Sequence, residues 1–131
     1  MRYEKGFTLI ELLLVVVILA SLAAMVIPRF AGRTEQAKIA VAGTDVTSNI
    51  PVALDLYELD NGRYPASLEA LLTNPGGAKN WSGPYIKKKP IDPWGNQYQY
   101  RCPSSHGRDF DLYSFGPDGT EGSDDVTNWE E

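Results

Sequence analysis

A strongly apolar stretch near the N terminus stands apart from a polar remainder. Residues 12–27 contain no charged side chain and a single polar one, Ser21, although the mean hydropathy of the 131-residue chain is only −0.27. A helix from Phe7 to Ile27 would be about 31 Å long, at about 1.5 Å per residue, which matches the apolar core of a bilayer. The pattern therefore predicts a membrane-spanning helix at the N terminus.

The charges around this segment indicate its orientation. Arg2 and Lys5 precede the apolar run, which favours a cytoplasmic N terminus with the rest of the chain across the membrane. Three bases that follow closely weaken this asymmetry: Arg29, Arg33 and Lys38. A cleaved secretory signal is the alternative, because the small residues at 20–23 would suit a signal peptidase.

Glu11 is the one charged residue inside the predicted helix. A carboxylate in an apolar helix costs about 2.5–3.5 kcal/mol on insertion scales, so it normally has a partner. No basic residue inside the segment lies within one helical turn of it. Cleavage before Phe7 would create an α-amino group, and the amine of another chain would then neutralise Glu11 when helices bundle. The alternative is that Glu11 lies close enough to the interface to reach water.

Beyond the membrane segment, apolar residues recur at helical spacing on one face. The members of this stripe are Val46, Ile50, Ala53, Leu54 and Tyr57. We expect the stripe to pack against a sheet, and Asn61–Gly62 to end the helix. Two prolines bear on the helices. Pro28 is expected to end or kink the apolar helix. At Pro51 the chain either starts a second helix capped near Ser48 or Asn49 or continues as a kinked helix, and we expect the kinked continuation.

Short strands follow the helix. Residues 98–101 and 109–113 alternate between apolar and polar side chains with period two, as half-buried strands do. Tyr113 and Phe115 are expected to belong to the core. A long helix followed by two short antiparallel strands predicts an α+β fold, in which a small sheet packs on the helix.

Composition argues against several classes of function. Cys102 is the only cysteine and His106 the only histidine, so the chain forms neither an internal disulfide nor a multi-histidine metal centre. The formal charge of −5 argues against nucleic-acid binding, which relies on basic surfaces. The one basic cluster, Lys87–Lys89, is typical of a solvated loop; the alternative is an inter-subunit contact with an acidic tip.

The C-terminal part contains an acidic, glycine-rich loop. Residues 116–125 hold four acids and three glycines. Neighbouring like charges repel, and glycine raises the entropic cost of ordering the loop. A calcium ion would offset both, because it binds about six to eight carboxylate and carbonyl oxygens. The spacing does not match an EF-hand. A solvated acidic loop is the alternative.

The N-terminal residues carry a specific processing signal. Residues 5–13, Lys-Gly-Phe-Thr-Leu-Ile-Glu-Leu-Leu, resemble the signal of type IV pilins and pseudopilins. The resemblance implies that a prepilin peptidase cuts after Gly6 and methylates Phe7. It also implies that Glu11 aids docking to the N terminus of a neighbouring subunit during assembly.

Further motifs resemble the major pseudopilin of the type II secretion system, the general secretion pathway protein G family. They are Leu54–Pro65, Asp92–Gly95, Tyr98 and Tyr100, Asp111–Ser114, Gly116 with Asp118–Gly119, and Asn128–Trp129. The resemblance implies a type IV pilin-like fold with a structural calcium ion in a C-terminal metal-binding loop. The implied ligands are the side chains of Asp118, Asp124 and Asp125 and the carbonyls of Leu112, Ser123 and Val126.

The same resemblance implies a cellular location and assembly partners for the chain. Residues 1–6 would be the leader, 7–28 the membrane and filament-core helix, and 29–131 a periplasmic globular domain. The chain would be a single-pass protein of the inner membrane that polymerises with itself and with minor pseudopilins. An assembly ATPase and an inner-membrane assembly platform would drive growth of the periplasmic filament, which exports proteins across the outer membrane.

Three other functions compete with this one. The first is a subunit of a type IV pilus or of a DNA-uptake pseudopilus. The second is a membrane-anchored periplasmic enzyme, but the acids of the terminal loop have no nucleophile or base beside them in sequence, so we expect no enzymatic activity. The third is a calcium-binding module whose signal is removed, which predicts a soluble mature chain without residues 7–20.

Overall fold

The computed structural model describes residues 2–130, apart from the side chains of residues 27–31. The chain divides into two compact units, Met1–Gln36 and Ala37–Glu131. Helix α1, Leu9–Thr44, begins in the first unit and ends in the second. It does not end at Pro28, which was one of the two outcomes expected for that proline.

The helical path continues through a wider turn. A π-turn, Asp45–Asn49, follows α1, and helix α2, Ile50–Asn61, follows the π-turn. The backbone N–H of Ile50 donates to the carbonyl of Asp45, five residues earlier, instead of the four of an α-helix. Pro51 has no N–H, and its ring clashes with the carbonyl four residues before it in a regular helix. The wider turn relieves this conflict, and the predicted continuation past Pro51 is confirmed.

Helix α2 buries the stripe that its spacing predicts. The buried members are Ile50, Ala53, Leu54 and Tyr57, and Val46 of the π-turn joins them. The helix ends at Gly62, whose positive φ of 78° and hydrogen bond from its N–H to the Glu58 carbonyl form the expected stop. A short 3₁₀ helix, Leu68–Leu71, then adds two more apolar residues to the core.

Three short strands form one antiparallel sheet in the order β1-β2-β3. The strands are β1 (Gln99–Arg101), β2 (Asp111–Ser114) and β3 (Val126–Thr127). Tyr100 lies opposite Leu112, and Ser114 lies opposite Val126. The first two strands match the predicted ones. The third was not predicted, because two residues are too few to show an alternating pattern.

The core lies between the helix and the sheet. Val46 and Leu54 are fully buried in one cluster with Phe110 and Leu112, which confirms the predicted packing of helix on sheet. The expectation that Tyr113 and Phe115 belong to the core was wrong. Both are only half-buried and lie outside this cluster, because the neighbouring positions 110 and 112 point into it.

Candidate functional sites: the N-terminal segment and the acidic loop

The predicted cleavage site lies in non-helical backbone. Residues 2–8 precede the first turn of α1, so the Gly6–Phe7 bond is outside the helix. No atom outside its neighbours lies within 4 Å of the place where a β-carbon on Gly6 would be, and Phe7 is 85% exposed. A protease requires an accessible substrate outside regular secondary structure, and this segment has both properties.

Glu11 has a partner that the sequence analysis did not identify. The Thr8 N–H donates to Glu11 Oε2 at 3.2 Å, and the Glu11 N–H donates to Thr8 Oγ1 at 3.3 Å. This reciprocal pair is a capping box, which satisfies two of the backbone donors left free at a helix start. The Thr-x-x-Glu spacing of residues 8–11 is the sequence signal for it. The carboxylate is therefore hydrogen-bonded within a single subunit.

The apolar run of α1 has the length and composition of a membrane span. Residues Leu9–Val26 have a mean hydropathy of 2.9, and none of them is buried within the protein. A signal sequence near an N terminus would satisfy the same criteria. The absence of any buried side chain in this run separates the segment from a buried core helix, because a core helix hides its apolar face.

In the second unit, the acidic loop of residues 116–125 is held by a close backbone contact. Gly116 has a φ of +74°, and a β-carbon at this position would lie 2.4 Å from the carbonyl oxygen of Asp124. Only glycine fits both requirements. The loop therefore folds back so that its two ends, near residues 116 and 124, touch.

Two of the predicted ligand side chains lie together in this loop. The Asp118 N–H points to Asp124 Oδ2 at 3.4 Å, and Asp118 Oδ1 accepts the Thr120 N–H at 3.0 Å. The hydrogen bonds that its carboxylate accepts from Thr120, the backbone N–H foremost, hold the pKa of Asp118 below its usual value. Both carboxylates are exposed. The carboxylate of Asp124 thus lies against the backbone of Asp118.

Asp125 is in a different environment from the other two acids. Its Oδ1 accepts the Gly122 N–H at 3.0 Å. Desolvation raises the pKa of Asp125, and the negative charges of Asp124, Glu121 and Asp118 raise it further. The loop thus carries repulsion among its acids that a bound cation would remove.

The carboxylates alone do not make a metal site. In the range 2–130, no group of three or more Asp, Glu, His or Cys side chains converges as metal ligands. A calcium site here would need carbonyl oxygens as well, which calcium accepts. The Leu112 carbonyl accepts the Asn128 N–H at 3.1 Å, and Val126 is paired with Ser114 in the sheet. The six predicted ligands stay a prediction, of which the structure brings Asp118 and Asp124 together.

Comparisons with known proteins cover both sites. Residues 29–129 match the family model of type II secretion system protein G, and residues 1–27 match the prokaryotic N-terminal methylation motif. The chain is 50% identical to the type II secretion system core protein G of Pseudomonas aeruginosa, over 98% of this chain and 97% of that protein. It is 45% identical to the protein of the same name from Vibrio cholerae, over 98% and 94%.

A solved structure agrees with these sequence matches. The crystal structure of the major pseudopilin from the type 2 secretion system of enterohaemorrhagic Escherichia coli aligns with a TM-score of 0.64 and 36% identity, covering 76% of this chain and 92% of that one. The α+β arrangement of a long helix on a small antiparallel sheet is thus pilin-like. The chain belongs to the type II secretion system protein G family, whose members are structural pseudopilin subunits.

Proposed function

We propose that this chain is the major structural subunit of a type II secretion pseudopilus, made as an inner-membrane precursor with its second unit in the periplasm. One observation carries the proposal: a pilin methylation motif at residues 1–27 continues directly into a protein G domain at residues 29–129. In this role the chain works by polymerising, and growth of the filament drives folded proteins through the outer membrane.

Processing would prepare the N terminus for assembly. A prepilin peptidase would cut the exposed bond after Gly6 and methylate the new terminal amine of Phe7. Loss of the leader removes Arg2, Glu4 and Lys5, a net charge of +1, and changes the formal charge from −5 to −6. The mature chain would then begin with a positive charge that lies four residues before the carboxylate of Glu11.

Glu11 would change partners during assembly. In a single subunit its carboxylate accepts the Thr8 N–H at 3.2 Å, so the charge is partly satisfied while the subunit waits in the membrane. In the filament, the amine of a neighbouring Phe7 would supply an opposite charge. An ion pair in an apolar environment is stronger than a single backbone hydrogen bond. The exchange would favour the register in which one subunit's N terminus meets the next subunit's Glu11.

The exposed apolar segment would be buried in both states. Lipid covers Leu9–Val26 in the waiting subunit, and neighbouring copies of the same segment cover it in the filament core. Subunits would pass from one to the other with the work of the assembly ATPase, transmitted by the inner-membrane platform. Minor pseudopilins would share the filament.

We further propose a structural calcium ion in the loop of residues 116–125. The side chains of Asp118 and Asp124 would hold it, and Asp125 and the carbonyls of Leu112, Ser123 and Val126 are the remaining candidates. The ion would neutralise the crowded carboxylates and fix the loop. Support comes from the adjacency of Asp118 and Asp124 and from the raised pKa of Asp125.

The processing step is tested by mass spectrometry of the N-terminal peptide from the native membrane. We expect a mature chain that begins at methylated Phe7. A variant whose Gly6 is replaced by a bulky residue, Gly6→Leu, is expected to keep its leader, which serves as the control. A wild-type chain that begins at Met1 would instead be an uncleaved membrane anchor, and one that begins near Leu22 would be a secreted protein.

The export role is tested in the source bacterium. Deletion of the gene is expected to leave type II exoproteins in the periplasm, and a plasmid copy is expected to restore their release. The competing role makes the opposite prediction: if the chain served a type IV pilus or DNA uptake, export would stay normal and surface pili or transformation would be lost.

A further inference from the structure

A buried carboxylate organises the turn that precedes β1. Asp92 is 3% exposed. Its Oδ1 accepts the backbone N–H groups of Trp94 at 3.1 Å and Asn96 at 2.8 Å, which closes the turn of residues 92–96. A buried charge is stable only when its oxygens are hydrogen-bonded. One oxygen is thus used within the turn, and the second is free to act elsewhere.

The second oxygen reaches β2. Ser114 Oγ donates to Asp92 Oδ2 at 2.6 Å, and the same hydroxyl accepts the Gly116 N–H at 3.1 Å. Ser114 is fully buried at the end of β2. The hydroxyl has one hydrogen, and the carboxylate of Asp92 can only accept it. The Gly116 N–H can only donate, so the hydroxyl oxygen accepts from it. The direction of both hydrogen bonds is therefore fixed, and the Gly116 backbone is tied to the buried carboxylate.

Gly116, at the start of the acidic loop, contacts the other end of that loop at Asp124. As described above, its Cα faces the Asp124 carbonyl so closely that a β-carbon would lie 2.4 Å away. The turn of residues 92–96 also approaches the loop directly. A β-carbon on Gly119 would lie 3.3 Å from the side-chain nitrogen of Asn96. Movement of Gly116 or of the turn would therefore move the loop.

We propose that Asp92 is a positioning residue for the acidic loop: through Ser114 and Gly116 it fixes Asp124 and thereby its approach to Asp118. The order of residues 116–125 depends on this chain of contacts whether or not a cation is bound. The consequence for calcium affinity rests on the calcium site proposed above. Charge-assisted hydrogen bonds are stronger than neutral ones, and linked bonds reinforce one another, so loss of the middle hydroxyl disturbs the whole path.

Hydrogen exchange of the full chain in detergent, without calcium, tests the positioning role. In Ser114→Ala we expect the amides of residues 116–125 to exchange about tenfold faster than in the wild type. The substitution removes both hydrogen bonds of the buried hydroxyl, so Asp92 Oδ2 and the Gly116 N–H lose that partner. Ser104→Ala is a matched control. Ser104 Oγ donates to the other buried aspartate, Asp111, and accepts two backbone N–H groups of its own loop. That variant should speed exchange at residues 104–109 only.

Two more variants separate the hydrogen bond from packing. Ser114→Thr keeps the hydroxyl and is expected to restore slow exchange in the loop. Asp92→Asn keeps the size of the side chain and removes its charge, and it should speed loop exchange even if Ser114→Ala does not fold. Loop exchange at the wild-type rate in Asp92→Asn, or equal effects of Thr and Ala at position 114, would overturn the proposal.

Calcium titration distinguishes this inference from the proposed metal site. We expect the wild type to bind calcium and Asp92→Asn to bind it about tenfold more weakly. A wild type that shows no heat of calcium binding removes the metal site and leaves the positioning role to be judged by the calcium-free exchange rates. Unchanged affinity in Asp92→Asn contradicts the extension of the positioning role to the cation.

Discussion

His106 Nδ1 lies 3.0 Å from Oδ2 of Asp111, a carboxylate that is only 1% exposed. The imidazole is stacked on Trp129, with 3.9 Å between ring centroids and 4° between planes. Ser104 and Ser105 also donate to this carboxylate. Burial opposes its ionisation, but the hydrogen bonds outweigh burial and hold the pKa of Asp111 below its usual range. The buried carboxylate of Asp111 thus holds the loop before β2, and His106 of that loop packs on Trp129 of the C-terminal segment.

Replacement of Asp111 by Asn should lower the stability of the second unit. Asn has one acceptor oxygen where Asp has two, so either the Ser104 hydroxyl or the donors of Ser105 lose their acceptor. We expect a loss of about 1–3 kcal/mol at pH 7 in urea unfolding. Asp109→Asn, an exposed acid two residues away, is the control and should change little. Equal losses in both variants would contradict the role of the buried carboxylate.

The pH dependence of Asp111 has a definite sign. Its pKa is lowered in the folded protein, so its contribution to stability is complete above the unfolded pKa of about 3.9 and is lost as the pH falls towards the folded value. The difference in unfolding free energy between the wild type and Asp111→Asn should therefore shrink as the pH falls from about 4 to 2. A difference that stays constant over this range would show that the ionised form is not the one stabilised.

The contact between Gly116 and Asp124 is testable with a pair of glycine variants. Gly62 and Gly116 both have positive φ, but a β-carbon meets nothing within 4 Å at Gly62. Gly62→Ala should cost about 1–2 kcal/mol from backbone strain alone. Gly116→Ala should cost at least about 1 kcal/mol more, because its methyl group overlaps the backbone of the loop. Thermal unfolding of both variants compares them, and equal costs would contradict the close approach.

Calcium should stabilise the wild type and not a variant that lacks the paired ligands. At a calcium concentration a hundredfold above the dissociation constant, we expect about 2.7 kcal/mol of added stability. The double variant Asp118→Ala, Asp124→Ala should melt at the same temperature with calcium or with a chelator. Glu121→Ala is the control, since it removes an acid of the same loop that is not a proposed ligand. A calcium response in the double variant that equals the wild type would eliminate the assigned site.

Two substitutions separate the functions of Glu11. Glu11→Ala removes both the cap and the charge, and we expect normal cleavage after Gly6 but few filaments. Glu11→Gln keeps the carbonyl that accepts the Thr8 N–H and removes only the charge. If docking requires an ion pair, Gln assembles as poorly as Ala; if capping suffices, Gln assembles like the wild type. Electron microscopy counts the filaments, and normal assembly of Glu11→Ala would refute both functions.

The sequence was most informative where residues close together in the chain determine the structure. The spacing of Val46, Ile50, Ala53, Leu54 and Tyr57 marked the buried face, because neighbours on a helix are three or four residues apart. Gly62 likewise marked the end of α2. The capping box was within reach as well, since Thr8 and Glu11 are three residues apart.

Contacts between distant residues were not accessible in this way. Ser114 and Asp92 are separated by 22 residues, and only the completed fold brings their side chains together. Strand β3 depends on pairing with Ser114 and has no pattern of its own. Propensity also did not decide between an end and a kink at Pro28, which lies within α1. Contacts between residues distant in the sequence determine these features, and local periodicity does not predict such contacts.

The π-turn before Pro51 makes the helix sensitive to residue count. Each residue of an α-helix advances the chain by about 100° around its axis, so a π-turn is one inserted residue that the path absorbs as a bulge. Deletion of one exposed residue of the bulge, such as Ser48, would restore a regular helix and bring the ring of Pro51 against a carbonyl again. It would also rotate the buried Ala42 by about 100° away from the core face of α2. Length in this segment is therefore under stricter constraint than residue identity.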